Sequence, residues 1–106
     1  MKILFVCSRN RLRSPTGEQL FASYKGIETS SAGLAPDAEE LLTPEHLEGI
    51  DTIFVMEKAH RAKLNKLYKK HLKNAKIVCL DIPDNHTYMQ SELVELLKAR
   101  VTPHLK

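Results

Sequence analysis

The chain has 106 residues and a mass of 12.0 kDa, room for one domain with one core and too little for two. Its hydrophobic share of 42% and charged share of 27% fall near globular averages, which excludes a disordered or fibrous chain. The formal net charge of +3 favours an anionic partner, yet no nucleic-acid reading motif accompanies it, and no apolar run reaches the roughly 18–20 residues that a bilayer span needs.

Residues 2–6, KILFV, form a short apolar run rich in β-formers and predict a strand buried on both faces. The run is too short, and too soon followed by arginine, to act as a signal peptide. The two cysteines, Cys7 and Cys79, stand far apart in sequence. Together these features predict a cytoplasmic protein with reduced thiols.

Beyond an arginine-rich loop, Ser14 is placed to cap a helix, Pro15 suits its first position, and Glu18 falls in its first turn. The helix is expected over about residues 15–24, ending at Gly26. A weak strand over 28–31 and a loop from Gly33 to Asp37 follow, and then Thr43-Pro44-Glu45 opens a short helix that Gly49 stops. DTIFVM, 51–56, is the clearest strand after the first. A lysine-rich amphipathic helix is expected over 57–72, with Leu64, Leu67, Tyr68, His71 and Leu72 near one face and its basic residues in solvent. KIVCL, 76–80, is a further strand in which Cys79 reads as a core residue. DIPDNHTY is a loop, and a helix capped by Ser91 closes the chain.

This alternation predicts an α/β fold: one domain, 1–106, with a four-stranded parallel sheet flanked by helices on both faces. Ligands of such sheets bind beyond the carboxyl ends of the strands. Cys7 and the segment from Asp81 to Asp84 each follow a strand, so both are expected on that edge.

The loop after the first strand has the residues of an anion site. Backbone N–H groups of residues 8–13, leading into a helix N-terminus, can cradle a phosphate, and Arg13 can bind two of its oxygens. Helix N-termini and nearby arginines also favour a thiolate, and Ser14 can hydrogen-bond to it. A cysteine at the base and an arginine at the rim then supply a nucleophile and a clamp for the transition state.

Cys7-Ser8-Arg9-Asn10-Arg11-Leu12-Arg13-Ser14-Pro15 resembles the signature of the low-molecular-weight protein tyrosine phosphatases: a cysteine, five residues, then Arg-Ser-Pro, with an asparagine three after the cysteine. Ser31-Ala32-Gly33, the segment LTPEHLEGIDTIFVMEKAH and the loop DIPDNHTY resemble further stretches of that family, so the likeness covers nearly the whole of a rather short chain. The resemblance implies a phosphomonoester hydrolase, acting on protein phosphotyrosine above all, with no metal or organic cofactor and with inorganic phosphate as product and inhibitor. It implies Cys7 as nucleophile, Arg13 as phosphate clamp, and Ser8, Arg9, Asn10, Arg11, Leu12 and Ser14 as the substrate-binding loop. It maps the general acid to Asp84, with Asp81 as the alternative.

The sequence departs from the family pattern at three points. Arg9 stands where glycine is usual, which predicts either a costly backbone turn or a second cation over the pocket. Arg11 stands where an aliphatic or threonine bears on the choice between phosphotyrosine and phosphoarginine. The proline after the acid is Asn85. The two extra arginines either select a substrate with additional negative charge, an acidic phosphopeptide or a nucleic-acid end, or point to solvent. Tyr88 is placed at the pocket rim, and His86 is read as surface or substrate-side. Two other functions share the fold's chemistry: an arsenate reductase, which would need Cys79 near the nucleophile, and a phosphate-binding module without turnover.

Overall fold

The computed structural model describes residues 1–105. Four strands, β1 (Lys2–Cys7), β2 (Glu28–Gly33), β3 (Thr52–Val55) and β4 (Lys76–Cys79), form one sheet in the order β2-β1-β3-β4. Every pairing is parallel. Three helices connect and cover them: α1 (Arg13–Phe21), α2 (Lys58–Leu72) and α3 (Ser91–Val101), with 3-10 turns at Pro44–Leu47 and Thr102–His104.

The alternation of side chains along β1 divides the interior into two layers. Ile3, Phe5 and Cys7 face a core completed by Phe21 of α1 and Leu93, Leu97 and Val101 of α3. Leu4 and Val6 face the opposite core, with Leu47 and with Leu64 and Leu72 of α2. The Phe5 ring lies between Phe21 and Phe54, at centroid distances of 5.9 and 5.4 Å. Helix α1 crosses this ring at Gly17, where a Cβ would stand 2.7 Å from a ring carbon, so the helix reaches the sheet only because that residue has no side chain. Cys7 is therefore the last core-facing residue of the central strand, at the point where the chain leaves the sheet.

Several local expectations are corrected. Helix α1 begins at Arg13, so Ser14 is inside its first turn rather than at the cap, and Glu18 lies beyond that turn, where its carboxylate accepts from the Ser31 hydroxyl at 2.5 Å. Pro15 occupies the third helical position, where no intrahelical N–H bond is lost. In α2 the stripe is interrupted. Tyr68 leaves helical geometry (φ −127°, ψ 21°) and donates its hydroxyl to the Leu42 carbonyl at 2.8 Å, while Leu67 is 54% exposed. Strand β4 is an edge strand, so Cys79 is only half-buried rather than a core residue. No described helix is long and apolar enough to cross a membrane.

Candidate active site

Three loops meet at the carboxyl edge of the sheet. The first, residues 8–12, follows β1; the second, 34–40, follows β2; the third, 80–90, follows β4. Between them lies a cleft of about 670 Å³ lined by Cys7, Ser8, Arg9, Arg11, Leu12, Arg13, Ala35 and Asp84. The remaining expected loop residues, Asn10 and Ser14, are buried behind the thiol.

The first loop is folded around the sulfur. The Asn10 N–H donates to Cys7 Sγ at 3.2 Å, and the Ser14 hydroxyl lies 2.9 Å from the same atom. Ser14 Oγ is also 2.7 Å from Asn10 Oδ1, so thiol, hydroxyl and amide form one chain of hydrogen bonds. The tight turn falls at Asn10, whose φ of 57° is in the left-handed region that asparagine tolerates. Arg9 has no positive φ, so the backbone cost expected there is absent. Among the described residues the backbone N–H groups of Ser8, Arg9, Arg11 and Leu12 donate to no protein acceptor.

The second loop fastens the first from behind. Leu34, Ala35 and Glu39 donate backbone N–H groups to the carbonyls of Cys7, Ser8 and Arg9, at 3.0, 2.8 and 2.9 Å. Gly33 makes this approach possible, because a Cβ there would stand 2.6 Å from the Ser8 carbonyl oxygen. The Ser-Ala-Gly stretch thus has a physical reason: its glycine is pressed against the anion loop. The second loop also meets the two extra arginines, with Arg9 Nε 3.7 Å from Asp37 and Arg11 Nε 3.2 Å from Glu39. All four side chains are roughly half exposed or more, and such pairs contribute about 0–1 kcal/mol each.

Arg13 is held differently. Its side chain is 4% exposed, and one terminal nitrogen donates both to Glu57 Oε2 at 2.5 Å and to the Ile82 carbonyl at 2.8 Å. The guanidinium is thereby fixed from two elements, α2's entry and the third loop. Asp84 Oδ1 stands 3.8 Å from Arg13 Nε at the cleft wall. Asp81 does not reach the cleft: it accepts from the Cys79 thiol at 3.4 Å, and its backbone carbonyl is held by Arg100 at 2.7 Å.

Comparison with known proteins places this architecture. No protein-family model and no curated protein matches the sequence. Solved structures do match. Wzb of Vibrio vulnificus, in complex with benzylphosphonate, superposes with a TM-score of 0.78 at 23% identity, over 97% of this chain and 95% of that one. SP-PTP, the low molecular weight protein tyrosine phosphatase of Streptococcus pyogenes, gives 0.77 at 16% identity, over 99% and 93%. The YwlE arginine phosphatase of Geobacillus stearothermophilus gives 0.72 at 20% identity, over 97% and 91%. The fold is that of the low-molecular-weight protein tyrosine phosphatases.

Within this phosphatase fold the sequence reasoning missed two residues. Glu57 grips Arg13, and His60, buried at 5% exposure, places Nε2 3.0 Å from the Ser8 hydroxyl. The signal was present as Glu57-Lys58-Ala59-His60, a capping box with histidine in place of the usual Glu or Gln. Burial, with the Arg13 charge next, lowers the pKa of His60 below its ordinary 6.5, against opposing pulls from Glu57 and Asp84. Two placements also change. His86 is buried, with Nδ1 3.3 Å from the Pro83 carbonyl and Nε2 2.8 Å from Glu92, so it ties the third loop to α3 instead of facing substrate. Tyr88 is 49% exposed and does not line the cleft.

Proposed function

We propose that the chain, as one domain over residues 1–106, is a cytoplasmic phosphatase that hydrolyses phosphomonoesters, protein phosphotyrosine foremost, through a phosphocysteine intermediate. The observation that supports this most is the convergence of Cys7, Arg13 and Asp84 on one cleft, lined also by Ser8, Arg9, Arg11 and Leu12, whose backbone N–H groups have no protein acceptor.

In the first step the Cys7 thiolate attacks phosphorus, the bond from phosphorus to the ester oxygen breaks, and Asp84 gives its proton to the departing oxygen. Arg13 and the loop amides hold the three remaining phosphoryl oxygens as charge spreads over them. In the second step Asp84, now a carboxylate, takes a proton from water as that water attacks the phosphocysteine, and phosphate leaves with the thiolate restored. Asn10 and Ser14 serve the thiolate: the Asn10 N–H donates to Sγ, and the Ser14 hydroxyl, whose hydrogen is given to Asn10 Oδ1 beside the protonated thiol, turns to donate to Sγ once the thiol is ionised. The leaving phosphate is also the expected competitive inhibitor.

The arginines bear on the substrate. A phosphoarginine carries its own cationic guanidinium into a cleft already lined by Arg9, Arg11 and Arg13, whereas a phenolic ester brings no positive charge. This favours phosphotyrosine in an acidic context, where a flanking carboxylate exchanges with Asp37 or Glu39 on the arginines. Arsenate reduction is disfavoured because Cys79 lines a separate groove with Asp81, Arg100 and His104. A binding module without turnover has no use for an acid beside the thiol.

Metal-free hydrolysis of p-nitrophenyl phosphate at pH 5–7 tests the proposal. Turnover that disappears in Cys7→Ser and falls far more in Asp84→Asn than in Asp81→Asn supports it; a folded but inactive wild type overturns it.

A further inference from the structure

The hydrogen bonds at the start of α2 determine where a proton sits. The Glu57 backbone N–H donates to His60 Nδ1 at 3.1 Å. A ring nitrogen that accepts an N–H carries no hydrogen, so the neutral ring has its hydrogen on Nε2. Nε2 lies 3.0 Å from Ser8 Oγ, and the direction of that bond follows: His60 donates and the hydroxyl accepts. The hydrogen of Ser8 itself is then left for another acceptor. Ser8 directly follows the Cys7 thiol and lines the cleft beside Arg13 and Asp84.

We propose that Ser8 is a substrate-contacting donor, and that His60, locked as the Nε2–H tautomer, is the positioning residue that directs the Ser8 hydrogen toward an oxygen of the bound phosphoryl group. The identity of the ligand rests on the phosphatase reading; the tautomer does not. A second proton on the ring would set an Nδ1–H against the Glu57 N–H, and burial beside the Arg13 cation opposes it as well. The same device occurs at Thr43-Pro44-Glu45-His46, where the Thr43 N–H donates to His46 Nδ1 at 2.9 Å and leaves Nε2 3.0 Å from the Glu40 carboxylate. There the donor so fixed meets a surface carboxylate; at His60 it meets a hydroxyl of the anion loop.

Two measurements test the inference. Nitrogen NMR of the histidine rings in the unaltered chain reads the tautomer directly, with and without inorganic phosphate. Phosphate dissociation constants for wild type, Ser8→Ala, Ser8→Thr, His60→Gln and the Ser8→Ala/His60→Gln double variant read the coupling. The expected results are a neutral Nε2–H ring on His60 at pH 7, and phosphate binding weakened roughly tenfold in Ser8→Ala, the size of one hydrogen bond to a charged group. Ser8→Thr retains binding, and His60→Gln weakens binding when Ser8 is present but adds nothing once it is alanine. An Nδ1–H tautomer, wild-type phosphate affinity in Ser8→Ala, or additive losses in the double variant would each overturn the assignment while leaving the phosphatase reading intact. A wild type that binds no phosphate overturns both that reading and the Ser8 contact.

Discussion

The first loop and the third loop supply the two halves of the proposed chemistry, and they are built differently. Residues 7–14 are held from every side: the second loop donates three backbone hydrogen bonds into them, Gly33 is pressed against them, and Asn10, Arg13 and Ser14 are buried. The third loop is anchored at its start, where the Leu80 and Ile82 N–H groups donate to the Val55 and Met56 carbonyls and Arg13 holds the Ile82 carbonyl, and farther along by His86 and by the Met89 N–H to Thr16 Oγ1 at 3.0 Å. Between these ties it leaves the Asp84 side chain 64% exposed. The difference corresponds to what each half meets. A phosphoryl group has the same shape in every substrate, so a preorganised cup suits it; leaving groups vary, and the exposed acid stands where they vary.

Breaking the first loop should give the largest effects. Cys7→Ser should abolish turnover with the fold retained, and Arg13→Lys should lower kcat by about 10²–10³-fold, because lysine cannot reproduce the planar fork held by Glu57 and the Ile82 carbonyl. Steady-state kinetics alongside circular dichroism check both. In the third loop Asp84→Asn should cost roughly 10²-fold or more in kcat with an aryl phosphate. Asp81→Asn, outside the cleft, should leave kcat nearly unchanged.

Gly33→Ala sharpens the comparison from the structural side. A Cβ 2.6 Å from a backbone oxygen forces the second loop away from the first, so stability should fall by about 1–3 kcal/mol and phosphate affinity should fall with it. Denaturant melts and phosphate titration measure the pair. His86→Ala, by contrast, releases the third loop from Glu92 of α3 and removes the loop's internal contact to the Pro83 carbonyl. It should lower kcat several-fold while phosphate affinity stays as in wild type, since the anion cup is untouched.

The smallest effect is one of pH. His60 has a lowered pKa in the fold and an ordinary one near 6.5 when unfolded, so the unfolded chain takes up the proton first. Its contribution to stability is therefore complete above about pH 6.5 and declines as the pH falls toward and through the folded value. Thermal melts between pH 7.5 and 5 should show this loss in wild type and a shallower dependence in His60→Gln.

The legible and hidden parts of the sequence divide along the same line as the two loops. Strand periodicity, the C-x5-R-S-P spacing and the glycine of Ser-Ala-Gly are local patterns, and they were enough to predict a parallel sheet, the loop and the edge where the cleft lies, while the strand order β2-β1-β3-β4 came only with the fold. Glu57 and His60 were not legible because their partners, Arg13 and Ser8, are 44 and 52 residues away, and a capping histidine reads as an ordinary helix residue until the fold joins β3's exit to β1's. His86 was misread for the same reason: a polar loop residue is normally exposed, and only the packing of α3 against the third loop buries it. Cys79 failed in the opposite direction, since an apolar strand says nothing about being at the edge of its sheet.

The most direct test of the central claim is to trap the intermediate. Asp84→Asn, which slows hydrolysis of the phosphoenzyme, would be mixed with p-nitrophenyl phosphate, quenched within the first turnover and digested for mass spectrometry. The account predicts one phosphoryl group on the peptide containing Cys7, lost in the Cys7→Ser/Asp84→Asn double variant. A burst of product with an unmodified Cys7, or a phosphoryl group on Ser8 or any other side chain instead, would contradict it.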